Sequence, residues 1–68
     1  MPRKRLTETE RRIVLALANG EPPRAIAAEL GRSVNTVRTH IRNAYAKLEI
    51  TGIDELRQLL ARGGLHEA

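Results

Sequence analysis

One stretch of the chain, residues 30–48, carries the side chains best suited to chemistry. It contains four cations and no carboxylate: Arg32, Arg38, Arg42 and Lys47. Arg38 and Arg42 are about one helical turn apart, and a guanidinium group can donate two hydrogen bonds to O6 and N7 of guanine. The Ser33 hydroxyl and the free N–H groups at the start of a helix can hold a phosphate. Because a carboxylate here would repel phosphates, the composition of this stretch indicates a polyanionic partner.

The distribution of charge over the whole chain also indicates a polyanionic partner. Residues 3–5 are Arg-Lys-Arg, and together with residues 30–48 they hold seven of the twelve basic residues and none of the eight acidic ones. These two segments therefore carry +7, and the remaining five basic and eight acidic residues sum to −3. This distribution favours a nucleic acid over a membrane surface as the partner. On charge alone, a solvated helix face that lacks acids is an equal alternative.

Other classes of site find no support in the sequence. No nucleophile–base pair and no convergent carboxylates can be placed, so we predict that the protein is not an enzyme. The chain has no cysteine, and His40 and His66 are isolated, so we predict no metal site, no cofactor and no small-molecule ligand. No apolar run approaches the roughly 20 residues of a membrane span, and no signal-peptide core follows the basic N-terminus. We therefore predict a cytoplasmic protein.

Capping signals and apolar spacing predict an all-α fold of four short helices. A chain of 68 residues forms one small domain with a thin core, which must be aliphatic because Phe and Trp are absent. Thr7 and Glu10 have the spacing of a capping box, Pro23 can open a helix, Gly31 can end one, and Ser33 is a good N-cap. The predicted helices span about 8–19, 23–30, 34–48 and 53–62.

The third predicted helix has two faces. At about 100° per residue, six apolar residues gather into a stripe that should face the core: Val34, Val37, Ile41, Ala44, Tyr45 and Leu48. Four polar residues gather roughly 110° away: Asn35, Arg38, Thr39 and Arg42. The second and third helices, joined through a glycine turn, form a helix-turn-helix, and the major groove of DNA admits one such helix. Many helix pairs of this kind bind only protein.

Short motifs follow one another in a fixed order along the chain. They include Leu6-Thr7-x-x-Glu10, Ile26-Ala27-x-x-Leu30-Gly31, Ser33-x-x-Thr36-Val37-Arg38-x-His40 and Lys47-Leu48. In this register they resemble the LuxR-type (GerE-like) helix-turn-helix domain of bacterial transcription regulators. The resemblance covers about residues 6–65, with a basic tail over 1–5 and a C-terminal tail over 66–68.

The resemblance implies a tetrahelical domain that binds duplex DNA sequence-specifically, as a two-fold homodimer through helix 4, on the bacterial nucleoid. It implies that base edges face Arg38, Thr39 and Arg42, and the shared polar face adds Asn35. It implies that phosphates lie near Thr36, His40 and Lys47, and the turn adds Ser33 and Arg32. The candidates for the dimer contact are Leu59, Leu60, Leu65 and Arg57.

The sequence departs from the family pattern at three places. Pro22, Pro23 and Ala25 stand where the family usually has a small polar N-cap and an acid. Glu49 replaces the usual glycine after Lys-Leu, so either this position needs an unusual backbone or the link to helix 4 differs. Gly52 stands where the family favours Ser or Asn as the cap of helix 4, and glycine is a tolerable cap.

Three questions stay open at the level of sequence. The alternative function is a protein-interaction module that resembles the promoter-binding end of a sigma factor and docks on RNA polymerase or another regulator. The tail Arg3-Lys4-Arg5 is either a solvated start or an arm that seeks phosphates. No sensing domain fits in 68 residues, so regulation must come from abundance, from a partner or from a missing regulatory domain.

Overall fold

The structure, a computed structural model, describes residues 5–64, which form four helices. Their bounds are α1 Glu8–Ala18, α2 Pro23–Leu30, α3 Val34–Leu48 and α4 Ile53–Ala61. Residues 5–64 contain no strand, so the all-α prediction is confirmed. Both α2 and α3 have the predicted bounds, whereas α1 and α4 end one residue early because Asn19 and Arg62 are non-helical C-caps. None of these helices is long and apolar enough to cross a membrane.

The start of α1 is fixed by a reciprocal pair of hydrogen bonds between Thr7 and Glu10. The Glu10 N–H donates to Thr7 Oγ1 at 3.0 Å, and the Thr7 N–H donates to Glu10 Oε1 at 2.9 Å. This is the predicted capping box, and it satisfies two of the N–H groups that the start of the helix leaves without an intrahelical partner.

A tight turn joins α2 to α3. It begins at Gly31, whose φ of 67° lies in the left-handed region that glycine adopts without strain. Ser33 then caps α3 as predicted, because its Oγ accepts the Thr36 N–H at 3.1 Å. Pro23 is at the start of α2, also as predicted, and Pro22 supplies no side-chain cap.

Two aliphatic clusters form the core, and α3 contributes to both. The first joins the N-terminal segment, α1, α3 and α4 through the buried residues Leu6, Val14, Ala44 and Leu56. The second joins α1, α2 and α3 through Ile13, Ile26, Ala27 and Val37. Val37 and Ala44 have no exposed surface, and the other four residues of the predicted apolar stripe pack at the edges of these clusters. The rotation of α3 about its axis is therefore set from two sides.

One carboxylate lies inside this otherwise apolar core. Glu10 is 4% exposed, and its Oε1 accepts a hydrogen bond from Lys47 Nζ at 2.8 Å. The same ammonium group donates to the main-chain carbonyl of Arg5 at 3.1 Å. A buried carboxylate is tolerated only when its charge is paired and its oxygens are hydrogen-bonded. The Lys47–Glu10 pair therefore ties the last turn of α3 to the first turn of α1 and to the segment before it.

The link between α3 and α4 has an unusual backbone, which is one of the two alternatives that the sequence allows at Glu49. Glu49, the C-cap of α3, has φ 60° and ψ 43°, in the left-handed region. Gly52 caps α4 without a side chain, and the Glu55 carboxylate in the first turn of α4 binds the residue that precedes this cap. Its Oε1 accepts the Thr51 N–H at 2.6 Å and the Thr51 hydroxyl at 3.0 Å.

We predict that replacing Glu49 by glycine stabilises the domain. A side chain in the left-handed region costs about 1–2 kcal/mol, and the greater freedom of glycine in the unfolded chain offsets part of the gain. We expect Glu49→Gly to raise the free energy of unfolding by about 1 kcal/mol, which for a domain of this size raises Tm by about 4–8 °C. Urea and thermal unfolding measure both quantities. The control Glu49→Ala removes the carboxylate but keeps the Cβ, and equal stabilisation by both variants would contradict a backbone origin.

We predict that Glu10 supplies part of the acid sensitivity of folding. Burial by itself would raise the pKa of the Glu10 carboxyl, but hydrogen bonds from Lys47 and Thr7 and the charge of Lys47 hold the pKa below its ordinary value of 4.5. The stabilisation is therefore complete above that value and is lost as the pH falls through the folded-state pKa. Glu10→Gln should cost about 1–3 kcal/mol at pH 7.

The measurement is the free energy of unfolding in urea between pH 7 and pH 3. The difference between wild type and Glu10→Gln should shrink as the pH falls below the ordinary value. Glu8→Gln removes an exposed carboxylate from the same helical turn and is the matched control. If this control changes the acid limb as much as Glu10→Gln does, the buried pair is not the origin of the effect.

Candidate nucleic-acid interface

The outward side of α3 is polar, cationic and free of carboxylates from residue 34 to residue 48. All four residues predicted to contact bases are exposed: Asn35, Arg38, Thr39 and Arg42. They share this exposure because Val37 and Ala44 are fully buried on the other side of the same helix. We call these four residues the reading face.

Thr39 offers a partner its methyl group rather than its hydroxyl proton. The Thr39 hydroxyl donates to the main-chain carbonyl of Asn35 at 3.1 Å, which is a local bond within the helix. The proton is therefore already used. What the side chain can present to a base edge is an apolar contact, which suits the C5-methyl group of thymine.

Ser33 and Thr36 form a short chain of hydroxyl groups at the start of α3. Ser33 Oγ accepts the Thr36 N–H at 3.1 Å and donates its own proton to Thr36 Oγ1 at 3.0 Å. Thr36 Oγ1 is an acceptor in this bond, so its own proton is left for a further acceptor. The geometry thus makes Thr36, rather than Ser33, the hydroxyl donor available to a phosphate oxygen.

The predicted phosphate-contacting residues lie around the reading face. Arg32 is exposed in the turn, and Thr36, His40 and Lys47 are each partly buried. By helix geometry the last three fall within an arc of about 40°, on one side of the reading face. We call Thr36, His40 and Lys47 the flank of α3.

Lys47 differs from the other predicted contacts because its ammonium group is already engaged. Of its three N–H donors, one is directed to Glu10 and one to the Arg5 carbonyl. One N–H remains for the phosphate contact that the sequence predicts, but the adjacent Glu10 carboxylate offsets the positive charge. Sequence reasoning missed this pairing. The signal was the place of Glu10 on the apolar side of α1, in helical register with Ile13 and Val14, where a carboxylate needs a cation.

The four residues predicted to form the dimer contact differ in their surroundings. Leu60 packs against the first core cluster, whereas Leu59 belongs to neither cluster and is partly buried. Gly64 folds back over Leu59, because the Gly64 N–H donates to the Leu59 carbonyl at 2.8 Å and a Cβ on Gly64 would overlap Leu59 Cδ1. Arg57 is exposed on α4, and Leu65 lies outside the described residues. Leu59 is thus the leucine of α4 that belongs to neither core cluster.

No group of three or more His, Cys, Asp or Glu side chains that could hold a metal ion occurs within residues 5–64. What this part of the chain does present is a helix with a cationic reading face, a hydroxyl donor at its start and a flank of further polar groups.

Comparisons with known proteins give the family of this arrangement. Residues 4–60 match GerE, the bacterial regulatory proteins of the luxR family. The solved structure titled "Structure of Transcription factor, GerE" superposes with a TM-score of 0.74 at 35% identity, and the match covers 90% of this chain and 92% of that one.

Curated relatives carry related names. The "Probable transcriptional regulatory protein SgaR" of Hyphomicrobium methylovorum is 46% identical over 50 residues, which are 74% of this chain and 24% of the relative. The "Monoamine regulon transcriptional regulator" of Klebsiella aerogenes is 43% identical over 51 residues, 75% of this chain and 22% of the relative. The chain thus spans about a quarter of the length of the curated relatives it matches. This chain belongs to the luxR family of bacterial regulatory proteins and has the GerE-type helix-turn-helix fold of their DNA-binding domain.

Proposed function

We propose that this protein binds duplex DNA sequence-specifically, as the DNA-binding part of a bacterial transcription regulator, with α3 in the major groove. The observation that carries the proposal is the reading face itself. Arg38 and Arg42 are exposed one turn apart on a helix without acids, and buried Val37 and Ala44 fix the direction in which they project. Residues 6–65 form the binding unit in this proposal, and a regulatory domain outside this chain supplies the signal.

The two arginines would read bases that are close neighbours. Their positions along the helix axis differ by about 6 Å, and successive base pairs of DNA rise about 3.4 Å. Arg38 and Arg42 would therefore select guanines roughly two base pairs apart, each through O6 and N7. Asn35 suits adenine N6 and N7, and the Thr39 methyl suits a thymine methyl between them.

The phosphate contacts would surround this readout. The free N–H groups at the start of α3 and the Thr36 hydroxyl, oriented by Ser33, point to one phosphate. Arg32 and His40 add further contacts, and the remaining N–H of Lys47 adds a weaker one. Such contacts fix the register of the protein on DNA and carry no sequence information directly.

We propose that two copies bind an inverted repeat through α4. Leu59 is the leucine of this helix that belongs to neither core cluster, and Arg57 is exposed two residues before it. Leu60 is a secondary candidate for the dimer contact because it packs against the first core cluster. Leu65, which lies outside the described residues, is the other secondary candidate. A two-fold interface of this kind would place two copies of α3 on successive major grooves.

Selection of bound duplexes from a random pool tests the proposed function. An enriched inverted repeat supports sequence-specific binding by a dimer, and an enriched single half-site supports a monomer. No enrichment and no gel shift at low salt, together with capture of RNA polymerase, would favour the protein-interaction alternative instead.

We predict that Arg42→Ala relaxes specificity at one base pair of the selected site. Loss of a bidentate contact to guanine should weaken binding to that site by about 1–3 kcal/mol, because base contacts carry the discrimination. Quantitative gel shifts on the site and on its single-base variants measure the effect. Arg12→Ala, on the exposed side of α1, is the charge-matched control. Equal weakening on the selected site and on random DNA would show that Arg42 is not a base reader.

We predict that Leu59→Glu separates half-site binding from dimer binding. A carboxylate in the proposed apolar contact should abolish cooperative occupancy of the inverted repeat while leaving single half-site affinity within about threefold of wild type, since the reading face is untouched. Leu15→Glu makes the same substitution at an apolar residue that is 42% exposed on α1, and it should bind the repeat like wild type. Retained cooperativity in Leu59→Glu would place the dimer contact elsewhere.

A further inference from the structure

Tyr45 lies on the side of α3 that is opposite the flank. By helix geometry it is about 70° from the middle of the reading face, whereas the flank is about 130° away in the other direction. Its side chain packs against the first core cluster, and the residue is partly buried. It lies in the last turn of α3, about 4.5 Å along the axis beyond Arg42. Tyr45 is therefore at the edge of the reading face as well as at the edge of the core.

The Tyr45 hydroxyl reaches solvent and has no hydrogen-bond partner among residues 5–64. Within that part of the chain, every buried polar side-chain atom of a residue that is not exposed has a partner, so a hydroxyl without one is in contact with water. A tyrosine commonly has this arrangement, with an apolar ring in the core and a polar tip outside it. Because packing restricts the ring, the hydroxyl is held in a narrow range of positions.

This hydroxyl is a neutral donor. Burial raises the pKa of Tyr45 above its ordinary value of 10.0, so the proton is retained at neutral pH. A phenolic O–H can donate to a phosphate oxygen without bringing a positive charge. A contact of this kind can therefore be distinguished experimentally from one made by an arginine or a lysine.

A helix in the major groove has a phosphate backbone on each side. The groove is about 12 Å wide and a helix with its side chains is about 10–12 Å across, so both backbones come close to it. The phosphate contacts predicted within α3 all lie on the flank. Between the reading face and the core on the other side, α3 has Val34, Ile41 and Tyr45, each partly buried. Of these three side chains, Tyr45 alone has a polar atom, so it is the one that can bind the second backbone.

We propose that the Tyr45 hydroxyl donates a hydrogen bond to a phosphate of the DNA backbone that faces the side of α3 opposite the flank. The proposal rests on the proposed function, because it requires α3 to lie in the major groove. Tyr45 then has two roles, since its ring packs in the domain and its hydroxyl binds DNA. Phosphate contacts carry no sequence information directly, so Tyr45 contributes equally on specific and random DNA.

The first test compares wild type with Tyr45→Phe, which removes only the hydroxyl. Binding to a duplex with a single selected half-site should weaken about fivefold, because a hydrogen bond to a charged group is lost, and binding to random duplex should weaken by the same factor. The slope of log affinity against log salt should stay unchanged, because no cation is removed. The control Thr9→Val removes a hydroxyl from α1 and should bind like wild type.

A second test locates the phosphate. Each phosphate of the half-site is replaced in turn by a neutral methylphosphonate, and the same scan with His40→Ala marks the backbone that the flank meets. One replacement on the other backbone should weaken binding by wild type and have little further effect on Tyr45→Phe. If wild type is insensitive to every replacement on that backbone, the proposal fails whatever the stability of the variant.

The remaining outcomes separate the two proposals. If wild type binds DNA and Tyr45→Phe binds the half-site and random duplex equally well, the phosphate contact is disproved and the proposed function stands. If the weakening occurs only on the inverted repeat, the hydroxyl belongs to the dimer contact and the proposal also fails. Absence of wild-type binding to any duplex at low salt would overturn both.

Discussion

The buried Glu10 carboxylate constrains the structure more than any other polar group. Its Oε1 accepts hydrogen bonds from the Thr7 N–H and from Lys47 Nζ, so one atom takes part in a helix cap and in an ion pair. Loss of the Lys47 bond would leave the Glu10 carboxylate unpaired inside an apolar core. The start of α1 and the end of α3 are therefore positioned together, and the segment at Arg5 follows because Lys47 also holds its carbonyl.

The reading face depends on this constraint and on the two core clusters. Val37 fixes α3 against α1 and α2, Ala44 fixes it against α1 and α4, and Lys47 fixes its last turn. A helix held at three points along one side cannot rotate or slide, so the side chains on the opposite side keep a set direction. For a domain with such a thin core, this is how Arg38 and Arg42 come to project from a fixed side of α3.

Local features of this fold were predictable from sequence, and long-range polar contacts were not. The caps at Thr7 and Ser33 and the bounds of α2 and α3 follow from interactions within four residues, so the sequence carries them directly. The exposure of the reading face follows equally from helical spacing. The partner of Lys47 is 37 residues away, and it is fixed only once α1 and α3 have packed. The direction of the Ser33–Thr36 bond likewise needs side-chain geometry that spacing does not contain.

Two of the three departures from the family pattern, Glu49 and Gly52, lie in the link between α3 and α4, and their effects oppose each other. Glu49 holds the left-handed cap with a side chain, which costs free energy in the folded state but narrows the conformations open to the link. Gly52 removes a side-chain cap and so widens the range of conformations open to the link. The hydrogen bonds from Thr51 to Glu55 restrict that range again. The link into α4 thus relies on a left-handed Glu49 and on the bonds from Thr51 to Glu55, while buried Leu56 anchors α4 in the first core cluster. In the proposed dimer, changes in this link would alter the spacing between the two half-sites without touching the reading face.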